Sequence, residues 1–111
     1  MFEQRSIVLL PFPFSDQSNK KIRPAIVISK NSFNDSGEDI LVCAMTSQIS
    51  EKPHSLLIDK NDVEIGVLSR KSLIKVDAIL RIKKDLIIKK IDMLNQKKFA
   101  QVLRKLNSLF I

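Results

Sequence analysis

The chain has no tryptophan, no tyrosine, one cysteine, one histidine and two glycines in 111 residues. Each shortage closes a class of function. The lone Cys43 cannot build an intramolecular disulfide framework. The lone His54 excludes a His-pair acid–base mechanism within one chain, and the two together cannot supply the common Cys/His zinc spacings. With only Gly37 and Gly66, neither G-x-G-x-x-G nor a P-loop can be written, so no Gly-rich phosphate loop is encoded. No apolar run reaches the roughly 18 residues of a membrane span. The first 14 residues hold Glu3 and two prolines, which is not the pattern of a signal peptide. The expectation is a soluble, cytoplasmic, single domain over residues 1–111 with no membrane contact. A chain of this size buries roughly two-thirds of its unfolded surface and folds without staples.

Acidic charge is also scarce, and unevenly so. The chain has 19 Lys plus Arg against 12 Asp plus Glu, a net charge of +7. Residues 1–69 carry 7 basic and 9 acidic side chains, residues 70–90 carry 8 and 2, and residues 91–111 carry 4 and 1. Such asymmetry fits a polyanionic partner, either nucleic acid or an acidic protein. A solvated Lys-rich surface accounts for the charge equally well on composition alone.

What is present is a series of short apolar runs. Ile7–Leu10 reads as a buried strand ending at Pro11, and Pro11-Phe12-Pro13-Phe14 as a stiff exit that cannot pair on both sides. Ser15 to Lys21 reads as a loop, Ile22 to Ser29 as a strand, and Lys30 to Asp39 as a loop. Ile40 to Thr46 and His54 to Ile58 read as strands, Ile65 to Leu68 as a brief extended piece, and Ser72 to Ile82 as a long strand or strand pair. Asp85 to Met93 stays ambiguous between strand and short helix. From Asn95, a plausible N-cap, the period changes: Phe99, Val102, Leu103, Leu106, Leu109 and Phe110 form one helical stripe. Five to seven strands followed by one amphipathic helix predict a mainly β fold, a small curled and partly closed barrel with the helix packed against it.

Four segments together resemble the PemK/MazF family of toxin endoribonucleases. They are Ile7-Val8-Leu9-Leu10-Pro11-Phe12-Pro13-Phe14-Ser15-Asp16, then Arg23-Pro24-Ala25-Ile26-Val27-Ile28-Ser29, then Met45-Thr46-Ser47-Gln48, and more weakly Leu73-Ile74-Lys75-Val76-Asp77-Ala78-Ile79. The Arg-Pro pair falls nine residues after Phe14, and the Thr-Ser strand end follows in order. The resemblance spans nearly the whole chain. It implies an SH3-like barrel, a homodimer, and a growth-inhibiting toxin that cuts single-stranded RNA, with mRNA as the expected class. Cleavage would go by attack of the ribose 2′-OH, without a metal or other cofactor. It also implies a cognate antitoxin of acidic character whose complex with the toxin binds DNA.

The residues that would carry this chemistry follow from the matched positions. Such cleavage needs a proton acceptor, a cation for the developing phosphorane charge and an acid for the leaving 5′-oxygen. Arg23 matches the family's catalytic Arg. Always protonated, it suits charge stabilisation through its planar fork and is a poor base. Thr46 matches the catalytic-site Thr, although Thr in a strand is commonly no more than a β-branched residue. Asp77 is the candidate base, since one branch of the family uses a carboxylate near this place. Lys75, two residues before it on the same strand face, stands where that branch has Arg. The alternative for this pair is a surface ion pair worth about 0–1 kcal/mol. Ser47 is a phosphate-contact candidate, and Lys20, Lys21, Arg70 and Lys71 are candidates for the RNA backbone. Phe14 is a stacking candidate, with Phe33 and Phe2 behind it, although packing under the loop explains Phe12 and Phe14 as well. His54 reads as a half-buried structural residue and Cys43 as a buried inert thiol.

The chain departs from the family where Arg5-Ser6 replaces its opening Gly-Asp or Gly-Glu, and where Ala78 and Arg81 replace its Gln and shift its Arg. The competing reading is therefore a catalytically weak or inactive barrel that binds nucleic acid or antitoxin. Gyrase poisoning, used by toxins with a similar barrel, is a more distant one.

Overall fold

A computed structural model of the chain describes residues 2–13 and 20–111, with the side chains of Pro13 and Lys20 left aside. Six strands form one antiparallel sheet: β1 (Ser6–Pro13), β2 (Lys20–Val27), β3 (Asp39–Thr46), β4 (Ser55–Ile58), β5 (Ser72–Lys83) and β6 (Lys89–Met93). Their spatial order is β4-β5-β3-β2-β1-β6. Two helices, α1 (Asn31–Ser36) and α2 (Gln96–Ser108), complete it. The outermost strands are β4 and β6, yet Val63, just beyond β4, forms a bridge with Leu94, just beyond β6. The sheet therefore curls until its two edges nearly meet, which makes the half-barrel. No helix among the described residues is long and apolar enough to cross a membrane.

The central strands are buried on both faces, and this is why they read as unbroken apolar runs rather than alternating ones. Ile7, Ile26 and Cys43 are register partners on the inner face, where they pack with Met45, Ile74, Phe99 and Val102. Val8, Leu10, Ala25, Val27, Ile40 and Val42 form a second cluster on the opposite face, covered in part by Phe2, Phe12, Ile82 and Ile87. Ile82 reaches it as the β5 partner of Ile40, and Ile87 because the chain leaving β5 must cross the outer face to reach β6 at the far side of the sheet. It does so through a 3-10 turn at Lys84–Leu86. Helix α2 is capped as its sequence predicts, Asn95 Oδ1 accepting the Lys98 N–H at 2.8 Å. It buries Phe99 and Val102 and leaves Leu103 and Phe110 exposed, so the apolar stripe is narrower than its spacing predicts.

Several boundaries differ from the sequence reading, each for a local reason. β1 runs on through Pro13, but beyond Leu9 it pairs only with β2, so its prolines face a side that asks for no N–H. β2 begins at Lys20, which puts Lys20 and Lys21 in a strand and not in a loop. The stretch read as a loop from Lys30 contains α1, whose one buried residue is polar. Asn34 Nδ2 donates to the carbonyls of Phe2 and Ser29, while the Lys84 ammonium donates to its carbonyl at 2.6 Å. A helix held by a buried amide leaves no apolar period to read. Ile65–Leu68 is not a strand, and Asp85–Met93 resolves into the 3-10 turn and β6. β5 is one strand with a large bulge: between the pairs Cys43↔Ile79 and Met45↔Ile74, Ala44 alone faces four residues, 75–78.

The closure of the half-barrel rests on two side chains. Asp92 is fully buried. Its Oδ1 accepts the N–H groups of Ile65 (2.9 Å), Gly66 (3.3 Å) and Met93 (2.9 Å), and Oδ2 that of Leu68 (2.9 Å). Burial alone would push its pKa up, but these backbone donors outweigh it and hold the carboxyl below its ordinary value. Arg5 has φ 80°, the left-handed region that favours glycine. This is where the resembling family has Gly. Its Nη1 donates to Glu64 Oε2 (2.9 Å) and to the Leu94 carbonyl (2.8 Å), so one guanidinium just ahead of β1 holds Leu94 of the closing bridge and Glu64, the residue after its partner Val63. Ser6 beside it is fully buried, and its hydroxyl makes no hydrogen bond among the described residues.

Two outcomes follow. Asp92→Asn should lower the unfolding free energy by about 3 kcal/mol at neutral pH, because it turns an NH2 toward buried N–H donors. A depressed folded-state pKa gives stability that is full above the unfolded value of about 3.9 and is lost as pH falls through the folded value. Urea unfolding should therefore show wild type losing its advantage over Asp92→Asn below about pH 4. Arg5→Gly and Arg5→Ala lose the same contacts, but only Ala keeps a Cβ at φ 80°, so Arg5→Gly should be the more stable by about 1 kcal/mol in the same assay.

Candidate functional site

The β2–β3 ladder runs Val27↔Val42, Ile26↔Cys43, Ala25↔Ala44 and stops there. The next residue of β2 is Pro24, which has no N–H to donate. Beyond it the strands part, and a cleft of about 310 Å³ opens between them. Carrying the register two residues further sets Arg23 across this cleft from Thr46. Arg23 stays anchored from behind by its pairing with Leu10 of β1. The Arg-Pro pair thus has a division of labour: proline opens the sheet and arginine lines the opening.

The charged residues lining the cleft are Lys21 and Arg23, with no carboxylate among the described lining. Its hydroxyls come from Thr46, Ser47 and Ser72. Thr46 Oγ1 accepts the Gln48 N–H at 3.1 Å, a local turn that fixes the rotamer and leaves the hydroxyl proton for an incoming acceptor. Two cations and three hydroxyls around one opening form an anion site, suited to phosphate oxygens and unsuited to a carboxylate-driven hydrolysis. A larger groove of about 840 Å³ beside β4 is walled by Ile49, Pro53, Leu57 and Leu73, and its one cation, Lys52, is matched by Glu51. Among the described residues no three His, Cys, Asp or Glu side chains gather to hold a metal.

Of the residues the sequence singles out, Arg23, Thr46, Ser47 and Lys21 come together here. Asp77 does not line the cleft: it is exposed in the β5 bulge opposite Ala44. Lys75 is half-buried and paired with Ser55 of β4, and Arg70 is exposed two residues before Ser72; neither lines the cleft. Lys20 opens β2, with its side chain outside the described part, and Phe14 lies outside the described residues altogether. Phe2 and Phe12 pack on the second cluster. His54 is exposed at φ 63°, not half-buried, and contributes its carbonyl to the Val76 N–H at 3.0 Å. Ser72 and Gln48 are the lining residues that sequence reasoning passed over. Both fall inside quoted segments of the resemblance or directly beside them, so the signal was present.

Comparisons with known proteins bear on the family and the fold. A family model described as PemK-like, MazF-like toxin of type II toxin–antitoxin system matches residues 3–110. Among solved structures, the MazE–MazF complex from Deinococcus radiodurans (Form II) is similar at TM-score 0.79 and 19% identity, over 97% of this chain and 94% of that one. A mycobacterial endoribonuclease in complex with its cognate antitoxin is similar at TM-score 0.79 and 13% identity, over 97% and 93%. The Mycobacterium tuberculosis toxin MazF-mt6 is similar at TM-score 0.75 and 14% identity, over 96% of each chain. The sequence matches no curated protein.

Cys43 lies behind the cleft in β3, fully buried. Burial, and next the negative charge of Asp77, push its thiol up to about 12. A thiolate is the reactive form. Iodoacetamide at pH 8 should leave Cys43 unmodified in the folded protein and alkylate it in denaturant, as read by intact mass.

Proposed function

The chain belongs to the PemK-like, MazF-like toxin family of type II toxin–antitoxin systems, and on that premise we propose that it is an endoribonuclease acting on single-stranded RNA. The observation that carries the reading is the cleft with two cations and three hydroxyls in its described lining. The 2′-OH of one ribose gives its proton to water as its oxygen attacks the adjacent phosphorus, the P–O5′ bond breaks, and the leaving O5′ takes a proton from water, so the products end in a 2′,3′-cyclic phosphate and a 5′-OH. Arg23 neutralises the non-bridging oxygens as their charge grows in the transition state. The free Thr46 hydroxyl proton hydrogen-bonds a phosphate oxygen, and Lys21 adds to the field that draws the polyanion in. These roles need no metal. Messenger RNA in the cytoplasm is the substrate class that fits an accessible single strand. The basic stretch at residues 70–90 supports an acidic antitoxin as the neutralising partner, and a homodimer is the assembly proposed.

A second reading is favoured by one observation. Among the described residues the cleft lining holds no carboxylate or imidazole to accept the 2′-OH proton, and Asp77 lies outside it. A barrel that binds RNA or antitoxin without cutting would look the same.

End-labelled RNA incubated with the protein in EDTA separates the two. Wild type should cut, and Arg23→Ala should lower the rate by about 10²–10³-fold. Thr46→Val, which keeps the shape and removes the hydroxyl, should slow cleavage less, and Asp77→Asn less than Arg23→Ala. RNA binding without any cutting would establish the second reading. Equal cutting by wild type and Arg23→Ala would show that the cleft is not the site.

A further inference from the structure

We infer that a second phosphate of the bound RNA is held in a separate pocket by Lys60 and Lys71, with Ser69 and Asn61 as hydrogen-bonding walls. The inference rests on the RNA reading above. β4 ends at Ile58 and β5 begins at Ser72, and these two residues are register partners. The turn after β4 and the segment before β5 are therefore brought to the same end of the sheet. Between them lies a pocket of about 210 Å³ lined by Asp59, Lys60, Asn61, Ser69 and Lys71.

The charges in this pocket do not cancel. Asp59 is turned onto its own 3-10 turn, Oδ1 accepting the Asn61 N–H at 2.8 Å, while Asp62 Oδ2 accepts the Asp59 N–H at 2.9 Å and Asp62 Oδ1 lies 3.9 Å from the Lys98 ammonium. Lys60 and Lys71 are exposed and in no ion pair among the described residues. Two ammonium groups thus stand against one carboxylate already engaged as a cap, beside a hydroxyl and an amide. This chemistry takes a phosphate diester as a point-charge contact without reading its base.

Its place relative to the cleft gives it a role. Ser72 lines the Arg23 cleft and Lys71 lines this pocket, so the two are neighbours along the chain. Across the sheet, in the order β4-β5-β3-β2, the pocket lies at β4 and β5 and the opening between Arg23 and Thr46 lies at β3 and β2, so their middles are two inter-strand spacings apart, roughly 10 Å. The phosphate held at Lys60 and Lys71 is then a different one from the phosphate that is cut. A strand long enough to reach both is anchored twice, and a shorter one only once.

The test is length dependence. A 20-nucleotide RNA containing one cleaved site is compared with the same site trimmed, on each side in turn, to the shortest RNA still cut. Lys60→Gln/Lys71→Gln should lower kcat/KM on the long RNA by about tenfold through KM, and flatten its dependence on log salt concentration by about 0.7 for the one phosphate lost. On the RNA trimmed on the side that reaches the pocket, the deficit should shrink to within about twofold. Fluorescence anisotropy with RNAs of the same lengths, carrying a 2′-deoxy residue at the cut, gives the same comparison without cleavage. An equal deficit on long and trimmed RNA would mean a structural role and overturn the inference. No deficit on either would overturn it too, as would lost binding of an acidic protein partner with RNA length dependence unchanged. Failure of wild type to cut, with the length-dependent binding difference intact, would count against the nuclease reading and not against the pocket.

Discussion

A missing N–H organises this molecule. Where Pro24 interrupts β2, the ladder to β3 cannot continue, and the sheet opens between two strands that are bonded a residue earlier. The opening is stable because the strands on either side are held from elsewhere. β2 keeps its full pairing with β1, and β3 keeps Thr46 paired with Leu73 of β5. A cleft cut into the end of a well-packed sheet presents its side chains on rigid supports. Arg23 and Thr46 face one another because each is carried by a strand whose other edge is occupied.

The stiffness behind the cleft comes from burial on both faces of the central strands and from the way the curl is closed. A single buried carboxylate gathers four backbone N–H groups from the segment before β5 and from β6. A single guanidinium, just ahead of β1, holds Leu94 of the bridge and Glu64, the residue after its partner Val63. Each contact is local, yet together they fix where Ser72 begins β5, and with it the third hydroxyl of the cleft. The strained backbone at Arg5 persists because the side chain is used at both ends.

How much of this was legible in the sequence depends on how each feature is encoded. The strands β1 to β5 and helix α2 stand out because apolar runs and a helical period are direct records of burial. Arg23, Thr46, Ser47 and Lys21 were found because they lie on continuous stretches of chain with recognisable neighbours. Helix α1 was not, because the amide of Asn34 holds it and a polar anchor leaves no period. Asp77 and Lys75 are singled out by the family resemblance, and alternation along a regular strand puts the two on one face together. The bulge opposite Ala44 breaks that alternation, and no residue in 75–78 announces it. His54 looked half-buried by its place between a turn and an apolar run, whereas its left-handed backbone turns it outward. Ser72 stands directly beside a segment of the resemblance, and the pairing of Leu73 with Thr46 brings the start of β5 to the mouth of the cleft.

The order in which the elements appear along the chain bears on how it is made. β1 lies between β2, which follows it closely, and β6, whose partner residues are 80 or more positions away. Synthesis proceeds from the N-terminal end, so every residue of the cleft leaves the ribosome before the strand that completes β1 and before the helix that fills the inner core. Contacts of such long separation form late and slowly. Until they do, Asp92 has no turn to gather and Leu94 no bridge to make. A nascent chain therefore carries all the groups of its cleft without the frame that aims them, and the translating cell meets the finished arrangement only once the last strand and helix are in place.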